Sequence, residues 1–232
     1  FSGYSDIAIG TSRLFGFDLM QNFNFPYFSR DIAEFWRRWH ISLSTWFRDY
    51  LYIPLGGSHV GTLLKVRNTF IIFIVSGFWH GANWTFIVWG FLNALYIMPS
   101  IIFNTNRNNL EIVAKGKYIP NLKDLFSILI TFSLTVFAWI FFRAENISHA
   151  MIYISQIFSR SLFSMPTIVP KVTLILIIIF LIIEWFGREN QYALEKFGLK
   201  IPQVIRWGFY YILVFAIFYF AGSEQQFIYF QF

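Results

Sequence analysis

The 232-residue chain contains no cysteine. That excludes a structural disulfide, a zinc–thiolate centre and a cysteine acyl-enzyme. Charge is scarce as well. Asp, Glu, Lys and Arg make up 13% of the residues, against about a quarter in an ordinary soluble domain. Residues 172–183 and 212–221 carry none at all, which excludes a solvated surface there. No phosphate-binding loop or dinucleotide fingerprint is present, and Gly56-Gly57 is a turn signal rather than a cradle. The four histidines, His40, His59, His80 and His149, lack the close spacing of zinc motifs, so no metal is expected. His59 in the glycine-rich loop and His149 at a helix start read as solvated. No basic segment precedes an apolar run after Phe1, so the opening residues do not read as a signal peptide.

What is abundant is apolar. The hydrophobic fraction is 56%, with 31 Phe, and the mean hydropathy is +0.54. This composition identifies an integral membrane protein, an all-α polytopic bundle of transmembrane helices. The net charge is +6. Because the basic residues flank apolar segments, the partner they imply is anionic lipid headgroups rather than nucleic acid.

Four runs are long enough for a crossing of about 20 residues: 84–103, 125–142, 168–186 and 204–222. Residues 69–79 are apolar but too few. A short helix is expected over Asp6–Phe15, a polar loop over 104–123, and an interfacial helix over 147–163, capped by Asn146 or Ser148. Basic residues flank several spans on both sides, so counting them along the chain leaves the orientation open.

Residues 31–51 show the clearest periodicity. Ile32, Phe35, Trp36, Trp39, Leu43, Trp46, Phe47 and Tyr50 fall on one arc about 120° wide at 100° per residue, with charged residues opposite. The pattern predicts an amphipathic helix lying in the interface. Glu34 and Arg38 are spaced for an i,i+4 pair. His40 falls about 80° from the centre of the arc, at its border. It can face either the headgroups or the protein interior.

His80 stands in Phe78-Trp79-His80-Gly81-Ala82-Asn83-Trp84, between apolar runs. An ionisable side chain at membrane depth is costly, and it marks a functional site. Gly77, Gly81 and Asn83 interrupt the run, which predicts a short or broken helix ending at His80 beside a polar cavity. A neutral imidazole there can act as general base toward a hydroxyl. The plainer alternative is a buried histidine bonded to a helix carbonyl. Arg37, Arg38 and Arg48 either form a solvated face or hold phosphates with their planar guanidinium groups. Asn83 is a cap or a polar site residue, and Trp79 packs or stacks on a saccharide. Ser76, four residues before His80, could form an acyl-serine, but no Asp or Glu lies nearby to orient the histidine.

Several long motifs carry a family resemblance: Phe-Ser-Gly-Tyr-Ser-Asp at 1–6, Phe-Trp-Arg-Arg-Trp-His at 35–40, Arg-Asp-Tyr-Leu-Tyr-Ile-Pro-Leu-Gly-Gly at 48–57, and Phe-Trp-His-Gly at 78–81. With them the chain resembles the membrane-bound O-acyltransferase family, in its alginate-O-acetylation branch. The resemblance covers nearly all of the chain and is densest from Phe1 to Trp89. It implies that residues 1–232 are a single membrane domain, the C-terminal half of a longer protein of the bacterial inner membrane. It implies an O-acyltransferase that takes acetyl from acetyl-CoA, holds no bound cofactor, and delivers to hydroxyls of an extracytoplasmic polysaccharide directly or through a partner acetyltransferase. It implies His80 and His40 as catalytic residues; Arg37, Arg38, Arg48, Asn83 and Trp79 are candidates for binding substrate on the reading of the residues given above. A transporter, a channel or a non-catalytic scaffold of a polysaccharide-export complex is the alternative that broken helices and an intramembrane histidine also fit.

Overall fold

The computed structural model describes residues 1–159, 169–196, 201–220 and 222. Among them every regular element is helical. α1 is Ser2–Leu14, α2 Ile32–Arg38, α3 Ile41–Phe47, α4 Thr62–His80 and α5 Trp84–Ile102. α6 is Leu122–Arg143, α7 Ile147–Ile157, α8 Lys171–Gly187 and α9 Gln203–Tyr219. A 3-10 turn covers Pro26–Phe28 and a π turn Arg48–Tyr52. The chain divides into two units, Phe1–Ile179 and Phe180–Phe232, with α8 running from the first into the second.

The centre of the first unit is an antiparallel hairpin of α4 and α5, joined by only residues 81–83. Glycines make the close crossing possible. A Cβ on Gly77 would strike the Phe86 carbonyl, and one on Gly90 the Phe73 carbonyl. The two contacts pair residues in opposite chain order, as an antiparallel crossing requires. Small residues at such crossings let membrane helices gain van der Waals contact where lipid offers no hydrophobic drive. α6 returns beside α5, so that Phe142, near its C-terminus, meets Phe86 and Trp89 close to the hairpin turn. Trp89, Ala138, Phe141 and Ala150 form the buried cluster that holds α5, α6 and α7 together.

Three described helices are long and apolar enough to cross a membrane: α4, α5 and α6. The expected spans at 84–103 and 125–142 correspond to α5 and α6. α4 corrects the reading of 69–79 as too short. Its helix starts seven residues earlier, at Thr62, because Leu63, Leu64 and Val66 continue the apolar run past Lys65 and Arg67. α8 and α9 have 17 residues each, at the lower end of what a crossing needs. The remainder of the expected 168–186 and 204–222 spans, the end of the 147–163 helix, and the C-terminal tail reach positions outside the described residues. α7 starts as expected, with Asn146 Oδ1 accepting from the His149 amide at 2.8 Å.

The helix expected over 31–51 is not continuous. It breaks at Trp39-His40, where His40 takes the left-handed conformation with φ 46° and ψ 55°. The reason lies in a distant segment. The Asn24 amide donates to the Arg38 carbonyl at 2.9 Å, and the Ile41 amide donates to the Asn22 carbonyl at 3.0 Å. Asn22 Oδ1 also accepts from the amide and hydroxyl of Ser42. Residues 22–24 thus satisfy the end of α2 and the start of α3, offsetting the cost of a left-handed non-glycine residue.

α2 is anchored by charge. Glu34 is 1% exposed and accepts from both Arg30 and Arg38, the expected i,i+4 partner. Asp31 caps α2 through the Glu34 amide, and the Asn109 amide group donates to its other oxygen. Arg37 donates to the Asn106 and Asn109 carbonyls, and Arg30 to that of Glu111. These bonds clamp α2 to the α5–α6 loop. In the second unit, the Arg188 guanidinium lies 4.1 Å over the Trp185 ring.

Candidate functional site

His80 is the last residue of α4. The hairpin geometry places it at a turn between two crossings rather than at a break within one. Beside it, Phe78 (65%), Trp79 (54%) and Trp84 (75%) are exposed, the aromatic collar expected where a helix meets the membrane interface. The broken-helix feature shared with transporters is therefore a tight αα turn.

Aromatic rings hold the imidazole. Phe142 packs edge-on at 4.9 Å, Trp89 at 5.3 Å and Trp79 at 5.0 Å, with Phe86 tilted at 6.2 Å. The described residues make no hydrogen bond to either ring nitrogen, so the carbonyl-bonded histidine of the plainer reading is not what forms. The half-buried ring is fixed by shape, while its donor and acceptor stay available.

His40 belongs to the same aromatic system. It stacks on Phe1 at 4.6 Å, and Phe23 stands between it and Trp39. Trp39 stacks on Phe35, which meets Trp36, and Trp36 packs edge-on against Trp89, the ring that touches His80. Nδ1 of His40 is buried with no hydrogen-bond partner among the described residues, as are Trp36 Nε1 and Thr85 Oγ1. Burial holds the His40 pKa below the ordinary 6.5, against a weaker pull from its own backbone. The ring is neutral near pH 7, able to accept at one nitrogen and donate at the other.

The remaining candidates separate. Arg37 and Arg38 are spent on the protein: Arg37 on two loop carbonyls, Arg38 on Glu34 and the Asn24 carbonyl. Burial pulls the Arg37 pKa down, with Asp31 and Glu34 opposing. Asn83 resolves as a cap. Its Oδ1 accepts from the Thr85 amide at 3.1 Å, and its amide group donates to the Glu145 carbonyl at 2.8 Å, tying the turn to the end of α6. Trp79 stays exposed beside His80. Ser76 is buried in α4. Arg48 pairs with Asp49 at 2.7 Å in the wall of a cavity of about 610 Å³ that neither His40 nor His80 lines. No group of three or more metal-ligating side chains forms among the described residues. Sequence reasoning missed Phe86, Trp89 and Phe142 around His80. Phe142 is 62 residues away, and nothing local marks it. It also missed Lys65 and Arg107 in the cavity.

The sequence is similar to known proteins over much of its length. The family model described as MBOAT, membrane-bound O-acyltransferase family, matches residues 1–142. The chain is 39% identical over 209 residues to the probable alginate O-acetylase AlgI of Pseudomonas aeruginosa, covering 88% of this chain and 38% of that protein. It is 43% identical over 151 residues to the peptidoglycan O-acetyltransferase of Helicobacter pylori, covering 65% and 27%. It is 32% identical over 158 residues to the teichoic acid D-alanyltransferase of Bacillus subtilis, covering 64% and 38%. The chain therefore spans less than two-fifths of the length of these relatives. A family match across 142 residues that contains both histidines, the break at His40 and the hairpin turn at His80 leads to one assignment: this chain belongs to the membrane-bound O-acyltransferase family.

Proposed function

We propose that this chain carries the reaction centre of a bacterial membrane O-acetyltransferase acting on an extracytoplasmic polysaccharide, with acetyl-CoA as donor. The observation that supports this most directly is His80 itself. It is an imidazole wedged among four aromatic rings, with neither nitrogen bonded to a described residue, and joined through Trp89, Trp36, Phe35, Trp39 and Phe23 to a second imidazole. In this reading His80 takes the proton of an acceptor hydroxyl as its oxygen attacks the thioester carbonyl. The tetrahedral intermediate collapses with loss of the thiolate, and His80 returns the proton to that sulfur. The products are the O-acetyl ester and the free thiol. His40, neutral and with a buried unpaired nitrogen, serves as donor to the carbonyl oxygen or as a guide for the acceptor.

The relatives named above acylate alginate, peptidoglycan or teichoic acid by their names, so a cell-envelope polymer is the acceptor class proposed here. An extracytoplasmic acetyltransferase partner can complete the relay. The test is His80→Ala in the intact protein, with insertion into membranes confirmed and acetyl transfer to the polymer measured. Loss of a general base lowers transfer about 10²–10⁴-fold. Undiminished O-acetylation by a normally inserted His80→Ala protein rules the assignment out.

A further inference from the structure

The apolar positions from Ile32 to Tyr50 fit the face of one helix, yet the chain leaves the helix at Trp39-His40 and starts again. In an uninterrupted helix the Ile41 amide would bond the Arg37 carbonyl, and the Ser42 amide the Arg38 carbonyl. In the structure the Ile41 amide donates to the Asn22 carbonyl at 3.0 Å and the Ser42 amide to Asn22 Oδ1 at 3.1 Å. The Arg38 carbonyl accepts from the Asn24 amide instead. Residues 22–24 therefore take over the groups that a continuous helix would pair with one another, and Asn22 alone takes both donors. The exchange leaves His40 at φ 46°, a conformation that a non-glycine residue keeps only where its surroundings hold it.

Asn22 also secures what covers the ring. Its amide group donates to Ser5 Oγ at 3.0 Å, and its Oδ1 accepts from the Ser42 hydroxyl at 2.6 Å. Ser5 is buried on α1, one turn from Phe1, whose carbonyl accepts from the Ser5 amide. Phe1 in turn stacks on the His40 imidazole at 4.6 Å. One side chain thus joins α1, the break and α3. Nδ1 of His40 has no partner among the described residues, so it does nothing to hold the ring in place. The backbone beneath the imidazole and the rings beside it do, and Asn22 is bonded to both supports.

We propose that Asn22 is a positioning residue for the acyl transfer: it latches residues 38–42 in the broken form and so sets His40 in the aromatic system that leads to His80. The competing form is the continuous helix that the apolar pattern favours. Closing the break returns His40 to right-handed φ and ψ and swings its ring off Phe1. The inference rests on the role proposed above for His40 in the transfer. Its test measures acetyl transfer by the intact protein in bilayer discs, normalised to inserted protein. The variants are Asn22→Leu, Asn22→Asp, His40→Ala, the double variant of Asn22→Leu with His40→Ala, and His80→Ala. Leucine removes the side-chain acceptor and donor at similar size. Misplacing a reacting group by an ångström costs about 10²-fold, so kcat of Asn22→Leu is expected to fall by about that factor with KM little changed. Asn22→Asp keeps the acceptor for Ser42, and the Ser5 hydroxyl can turn to donate to it, so transfer is expected near the wild-type rate.

The decisive comparison is the double variant. Because Asn22 acts through the imidazole, Asn22→Leu should cost nothing further once His40 is alanine. A loss that persists by the same factor without the imidazole makes Asn22 a purely structural residue and overturns the proposal. If the leucine protein fails to insert, Ser42→Ala decides by the same cycle. It removes only the 2.6 Å bond, and a smaller loss of kcat that vanishes in the His40→Ala background is expected; no loss overturns the latch. Asn22→Leu at the wild-type rate beside an inactive His80→Ala protein also overturns it, while the acyl-transfer reading stands. An active His80→Ala protein, or a fully active His40→Ala protein, discards the role of that histidine and the positioning role of Asn22 with it.

Discussion

Glu34 is the most consequential side chain of α2 outside the proposed chemistry. Its carboxylate is 1% exposed and receives the Arg30 amide at 2.8 Å, Arg30 Nε at 3.0 Å and Nη2 at 3.2 Å, and Arg38 Nε at 3.1 Å. Arg38 Nη2 also lies 3.0 Å from it. The two arginine side chains are only 12% exposed. Water cannot replace the carboxylate cheaply when it is removed. Glu34→Ala leaves two like charges facing one another in a poorly hydrated pocket. The expected cost is about 3–5 kcal/mol, that of breaking a buried pair rather than of losing a surface bridge. Arg30 and Arg38 each keep one backbone carbonyl, Glu111 and Asn24 respectively, which argues for the lower half of that range. Reversible denaturation in mixed micelles, followed by tryptophan fluorescence, reads the change. In a double-mutant cycle with Arg38→Met, the second substitution should recover part of the loss, because it removes one of the stranded charges. A Glu34→Ala protein within 1 kcal/mol of wild type would refute the view that this network fixes α2.

Gly77→Ala drives a methyl group onto the Phe86 backbone, whose carbonyl carbon would lie 3.0 Å away. The hairpin must open, and a loss of about 1–3 kcal/mol is expected in the same denaturation assay. Gly10→Ala, in open space on α1, should instead be neutral or gain up to about 1 kcal/mol. For His40, burial lowers the folded-state pKa below 6.5. The unfolded chain therefore binds the proton more readily. Stability should be complete above about pH 6.5 and fall as the pH drops toward the folded pKa, and His40→Gln should flatten that slope.

Much of this architecture is legible in the sequence because its signals are local. The run Trp84–Ile102, the cap at Asn146 and the Glu34–Arg38 spacing each depend on residues within one or two turns. The break at His40 was not legible. Every apolar position from Ile32 to Tyr50 fits one helix face, and what breaks the helix is Asn22 and Asn24, some 14–20 residues upstream. The start of α4 was hidden for a different reason. Lys65 and Arg67 look like the edge of a span, but their position at a helix end lets the charged groups reach past the apolar zone. At the candidate site, His80 and its unusual setting were visible, but the rings that hold it were not. Arg37 and Arg38 looked free because their partners are loop carbonyls about 70 residues away and a buried carboxylate.

The three-residue turn at 81–83 also bears on how the protein is made. Fully extended, three residues reach only about 10 Å, far less than the roughly 30 Å of a bilayer core. α4 therefore cannot be deposited across the membrane while α5 waits on the original side. The two helices must enter as a pair, with Trp79, His80 and Trp84 leading. The residue proposed to do the chemistry is thus the tip of an insertion unit. Lengthening the turn would uncouple the two crossings during biogenesis before it altered any contact in the finished fold.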